Sequence, residues 1–150
     1  MTQVAQPETD ETGGSDTPPQ QPAGDGQKKP FFILYLNGEE YFAELRQLAF
    51  WVDHLLIPVY GKEVTSSAPW CPRWREHPEA IAQLHGLWLA WQSLTGPNAE
   101  VTGPAQWHRD YLGMIMDALR NPSGPFAGCK PGSHREVARP PVADDGFLDP

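Results

Sequence analysis

Long apolar runs are missing from this chain, basic charge is in deficit, and cysteine occurs only twice. Each shortage excludes something. The most apolar window, Ala80–Leu94, spans fifteen residues and includes Gln83, His85, Gln92 and Ser93. A bilayer span needs about 20 mostly apolar residues, so this window reads as a core helix and no membrane partner is expected. Eleven Lys and Arg against nineteen Asp and Glu give a net charge of -8, without the basic patch that marks a duplex-binding surface. Met1–Asp25 has neither a basic start nor an apolar run, so no export signal is expected and the cytoplasm is the expected compartment. In a reducing compartment two cysteines are expected free or metal-bound rather than oxidised. Phosphate-binding loops, dinucleotide fingerprints and paired catalytic carboxylates are all missing.

What is present is unevenly distributed. Residues 1–30 hold Met1 and Val4 as their only large aliphatic side chains and no aromatic, among Pro, Gly, Gln, Thr and acids. Such a segment cannot bury enough apolar surface to offset the entropy of ordering, so 1–30 is expected to be a disordered acidic tail. Residues 140–150 read the same way, apart from Phe147 and Leu148. The two tails hold five acids with two lysines and three acids with no base, leaving eleven acids and nine bases between them. The acidity thus belongs mainly to the tails, and a single near-neutral domain is expected over 31–139, within the size range of one core.

That middle segment predicts a mainly α fold of three helices joined by long structured loops. Asn37-Gly38-Glu39-Glu40 has the form of a capping box, followed by apolar stripes at Phe42, Leu45, Ala49, Val52 and Leu56 and at Tyr41, Leu48, Trp51 and Leu55. Pro58 is expected to end or kink this helix near Ile57. A strand at Phe31–Leu36 with a turn at Asn37-Gly38 is the rival reading. His77-Pro78-Glu79-Ala80 opens the second helix, and Gly96-Pro97 stops it. Its small residues Ala82, Gly86 and Ala90 are expected to let another backbone approach. The third helix is expected over Pro104–Arg120, with Trp107, Tyr111, Met114, Ile115 and Ala118 inward, closed by Asn121-Pro122. The loops are Gly61–Glu76 and Asn121–Arg139.

Several strings are distinctive: Trp70-Cys71-Pro72-Arg73-Trp74-Arg75-Glu76-His77-Pro78-Glu79-Ala80, Leu87-Trp88-Leu89-Ala90-Trp91, and Gly124-Pro125-Phe126-Ala127-Gly128-Cys129 with His134 beyond. With Leu56-Ile57-Pro58-Val59-Tyr60 they resemble the actinobacterial domain of unknown function 4913 family over about residues 40–135. The resemblance implies a small protein of actinobacterial genomes and their mobile elements, with no activity to carry over.

The residues themselves suggest one site. Five residues separate Cys71 from His77 and four separate Cys129 from His134, each pair in a Pro/Gly-rich loop. Zinc takes four N or S ligands in a tetrahedron, often from pairs a few residues apart, so Cys71, His77, Cys129 and His134 form a candidate structural zinc clamp. The spacings are wider than those of the usual zinc fingers. Two plainer readings stand beside it: buried thiols acting as small hydrophobes, with His77 as a helix N-cap and His134 on the surface, or a Cys71–Cys129 disulfide. His108 beside Asp110 is a candidate base but is expected on the solvent side. His54 and His85 are expected to be satisfied boundary residues, and Trp88 and Trp91 core residues. A Cys129–His134 nucleophile pair lacks a third orienting group.

The sequence therefore favours a non-enzymatic accessory or protein-interaction domain with a structural zinc and an unidentified protein partner. The alternative is nucleic-acid binding through Arg73 and Arg75 with Arg109, Arg120 and Arg135. That alternative requires these arginines to converge on one face.

Overall fold

The computed structural model describes residues 31–144 and 146. The expectations for residues 1–30, 145 and 147–150 lie outside the described residues, and Pro140–Asp144 are exposed with no regular element. Helix α1 is Gly38–Trp51, α2 is Ile57–Tyr60, α3 is Pro78–Thr95, α4 is Gly103–Trp107 and α5 is Gly113–Leu119. A π-helical turn at Val52–Leu56 joins α1 to α2, and another at His108–Leu112 joins α4 to α5. The backbone therefore forms three helical rods, as the periodicity predicts. The described residues contain no strand, only isolated bridges at Thr65–Ala68 and Lys130–Ser133. Phe31–Leu36 is not a strand: Ile33–Tyr35 form a 3-10 turn that drives Ile33 fully into the core.

The first rod differs from expectation at both ends. Asn37 makes no side-chain cap, because the chain enters α1 through Gly38 at a φ of +55°. A capping side chain needs helical geometry at the next residue to lie over the second and third N–H groups, and a left-handed residue there turns it away. At the other end Pro58 does not stop the rod. The π-turn bonds the Ile57 N–H to the Val52 carbonyl, and the helix restarts with Pro58 in its first turn, where a missing N–H removes no bond.

The second π-turn changes which side chains face inward. Trp107 is fully buried, but Tyr111 is 39% exposed and Met114 is 73% exposed, contrary to the expected stripe. The wide turn inserts one extra residue, which rotates everything after it by about 100°. Leu112, Ile115, Met116 and Leu119 consequently take the inward positions, each one residue beyond the expected Tyr111, Met114, Ile115 and Ala118.

Helix α3 lies centrally, packing against α1, α4, α5 and both 3-10 turns. Leu84, Leu87 and Ala80 are buried on it, and Trp107 donates its indole N–H to the Leu87 carbonyl at 3.2 Å. Around Trp107 the rings of Trp91, Tyr60 and Trp51 stand 4.8, 5.5 and 6.4 Å away, centroid to centroid, tilted or edge-on. Trp88 is only half-buried at the edge of this core. The small-residue strip on α3 does not meet a backbone: Gly86 is exposed, and a methyl group there would have no atom within 4 Å. Gly86→Ala is therefore expected to raise unfolding free energy by about 0.5–1 kcal/mol, measured by urea denaturation, because alanine lowers the entropy lost on folding.

Candidate metal centre

The two loops reach one end of the bundle by different devices. Leading into α3, Trp74 is buried in the 3-10 turn Trp74–Glu76, and its carbonyl accepts the His77 N–H at 3.0 Å. This fixes His77 at the mouth of α3. Arg120 secures the same loop further back, donating from Nη2 to the carbonyls of Glu63 and Ala68 at 2.6 and 2.9 Å. After α5 the chain drives fully buried Phe126 between Trp70 and His77, with ring centroids 4.9 and 5.2 Å away. The Cys129 N–H then closes a turn onto the Phe126 carbonyl at 2.9 Å. Gly128 sits in that turn at a φ of +78°, a left-handed conformation that favours glycine. Reciprocal backbone bonds of 2.9 Å between Lys130 and Ser133, across Pro131-Gly132, bring the chain straight back to present His134.

Cys71, His77, Cys129 and His134 converge. Their ligand atoms all lie within 4.8 Å of one another. The His134 Nδ1 stands 3.3 Å from the Cys71 Sγ and 3.2 Å from the His77 Nε2, which is 3.6 Å from the Cys129 Sγ. Zinc bonds of about 2.3 Å to sulfur and about 2.0 Å to nitrogen place tetrahedral ligand atoms roughly 3–4 Å apart. The donor set and its spacing fit that ion. Both cysteines are free thiols rather than a disulfide, and both are buried. Their sulfurs nevertheless face imidazole nitrogens, which a purely apolar packing role does not require. His77 makes no side-chain cap on α3, being turned into the cluster instead, and His134 is largely buried rather than on the surface.

The surroundings fix which atoms point inward. The Pro125 backbone is a hydrogen-bond partner of His77, and the His77 Nε2 faces the cluster. The His134 Nε2 lies 3.5 Å from the Glu76 Oε2, and its Nδ1 faces the cluster. Glu76 is in turn gripped by Arg73 at 2.6 and 2.8 Å. Arg73 holds the Glu76 carboxyl below the usual carboxylate range. Backbone N–H groups point at both sulfurs, from Arg73 to Cys71 and from Arg135 to Cys129 at 3.4 Å. Burial pushes the Cys71 thiol up and, with the neighbouring His134, pushes the His77 imidazolium down. The result is two imidazole nitrogens that meet beside two sulfurs. A cation held between them would be met by all four donor atoms at once. An outer carbonyl and an outer carboxylate on the two imidazoles are the partners that orient metal-bound histidines elsewhere. Neither Glu76 nor the Pro125 carbonyl is singled out by spacing; the Arg73–Glu76 separation of three residues was the only available signal.

The other candidates separate from this cluster. His108 is exposed, with Nδ1 donating to the Pro104 carbonyl at 2.7 Å and Nε2 accepting the Tyr60 hydroxyl at 2.8 Å, so both nitrogens are engaged without a carboxylate. His54 is exposed and bonded to the Phe50 carbonyl at 3.0 Å. His85 is not a boundary residue but fully buried, its Nδ1 accepting the Ile33 N–H at 3.3 Å and its Nε2 donating to Glu44 at 2.9 Å. The arginines are occupied locally: Arg73 by Glu76, Arg75 by Asp53, Arg109 by Asp110 and Arg120 by carbonyls, while Arg135 lies against Gly128.

These features define a small three-rod helical domain with a Cys2His2 cluster between two of its loops. The family model for the domain of unknown function (DUF4913) matches residues 45–145, and this chain belongs to that family. All four cluster residues fall inside the matched span. No curated protein and no solved structure matches the chain significantly.

Proposed function

We propose that this chain is a non-catalytic helical interaction module whose two long loops are stapled by one structural zinc ion held by Cys71, His77, Cys129 and His134. The observation that carries the reading is the convergence of two imidazole nitrogens and two sulfurs within 4.8 Å, with the Pro125 backbone behind one imidazole and the Glu76 carboxylate behind the other. Four protein ligands saturate a tetrahedral ion and leave no position for a substrate or water, which is the arrangement of a structural rather than a catalytic site. Bound zinc converts the thiols to thiolates, and the backbone N–H groups aimed at the sulfurs stabilise that charge. Thiolate ligands suit a reducing compartment such as the cytoplasm. No helix among the described residues is long and apolar enough to cross a membrane. Exposed Phe31, Leu34, Tyr35 and Phe42 cluster in sequence around the start of α1 and support an interaction role.

Elemental analysis of the purified chain tests the clamp: one equivalent of zinc is expected, and less than about a tenth of that in Cys71→Ser. A stoichiometric zinc retained by that variant removes Cys71 from the site and the reading with it. Glu76→Gln is expected to keep the ion but weaken its affinity about 10–100-fold, measured by competition with a chromophoric chelator, because the Glu76 carboxylate orients His134.

A further inference from the structure

A groove of about 630 Å³ lies between α1 and α3 on the side of the molecule built from the start of the described chain. Helix α1 contributes Glu40 and Glu44 to it, α3 contributes Trp88, and the turn before α1 contributes Phe31 and Tyr35. Two properties define its chemistry. Its lining is aromatic and largely open, with Tyr35 74% exposed and Phe31 56% exposed. Among the described residues its only charged side chains are two carboxylates, and neither meets a lysine or arginine there.

One of the carboxylates is fixed in place. Glu44 accepts a 2.9 Å hydrogen bond from the Nε2 of His85, a side chain with no exposure at all. The Nδ1 of His85 accepts the Ile33 N–H, which leaves its Nε2 to donate to Glu44. His85 thus spends a buried hydrogen bond on holding an acid in place. The Glu44 side chain remains 26% exposed at the groove, with one oxygen engaged by His85 and the other available.

We propose that this groove docks an arginine side chain presented by an apolar stretch of a partner protein. The inference rests on the interaction reading above and supplies the partner's chemistry. Aromatic faces and a fixed carboxylate suit a guanidinium, which stacks flat on rings and pairs with a carboxylate through parallel N–H donors. Apolar neighbours of that arginine would cover Phe31, Tyr35 and Trp88. An acidic or phosphorylated partner is repelled by the same two acids.

Titration calorimetry with the full chain tests this, using acetyl-Leu-Arg-Leu-Arg-Leu-amide and the same peptide with citrulline for arginine. Citrulline keeps the shape and removes the charge. The arginine peptide is expected to bind at least about tenfold more tightly, since hydrogen bonds to charged groups outweigh neutral ones by that margin. In Glu40→Gln/Glu44→Gln the two peptides should bind equally weakly, while the new amide oxygen on α1 still accepts from His85 and zinc content stays unchanged. Equal binding of both peptides to the natural chain overturns the proposal, and so does no binding of either. Binding that appears only in Lys28→Ser/Lys29→Ser assigns the groove to the chain's own lysines and overturns the partner as well. Because zinc is measured in the same samples, failure of the clamp registers separately from failure of the groove.

Discussion

Stripping zinc with a strong chelator is expected to lower the thermal midpoint of this protein by on the order of 20 °C. The size follows from mass action: an ion present at about 1,000 times its dissociation constant adds roughly 4 kcal/mol to the folded state, and each kcal/mol moves the midpoint of a domain this size by about 4–8 °C. The loops 61–76 and 121–139 should loosen first, because little else closes them: Trp74 and Phe126 anchor them, but most of the chain between is exposed. Helix content by circular dichroism should fall far less, since the Trp107 core is built by α1, α3 and the third rod without the clamp. Cys129→Ser should reproduce the lower midpoint, and the chelator should then have no further effect. A chelator shift of the same size in that variant would show that the stabilising metal sits elsewhere.

Trp107→Ala is expected to cost roughly 3–5 kcal/mol, read as a drop in the urea midpoint at unchanged slope. Trp107 is fully buried, three aromatic rings pack around it, and its indole N–H is satisfied by the Leu87 carbonyl. Truncation removes a large buried ring, opens a cavity that these stiff neighbours fill poorly, and removes the bond to the Leu87 carbonyl. Against a total stability of about 5–15 kcal/mol for a typical domain, that leaves little margin. Trp107→Phe, which keeps a ring but loses the donor, should cost clearly less. Equal losses in the two variants would mean that the hydrogen bond, not the packing, carries the stability.

Much of this architecture was legible because it depends on local chemistry. Pro78 in a first turn and Gly96-Pro97 after a last one delimit α3, which runs Pro78–Thr95 as the sequence predicts. The pairs Cys71/His77 and Cys129/His134 stood out by residue type, although nothing in their spacing says that loops so far apart in sequence meet. That meeting is a tertiary event, set by Phe126 wedging between Trp70 and His77. The π-turns were invisible to a period of 3.6. One extra residue before Gly113 moved Tyr111 and Met114 outward and Leu119 inward, and no residue type announces such a bulge. The Asn37 cap failed for a similar reason, since Gly38 takes a left-handed conformation that a pattern of side chains does not reveal. His85 read as a boundary residue because its partners, the Glu44 carboxylate and the Ile33 N–H, come from other elements.

X-ray absorption at the zinc edge tests the central claim most directly. The protein as purified should show two sulfur ligands at about 2.3 Å and two imidazole nitrogens at about 2.0 Å, with no water in the shell. A spectrum of nitrogen and oxygen ligands alone, or no bound zinc, would contradict it.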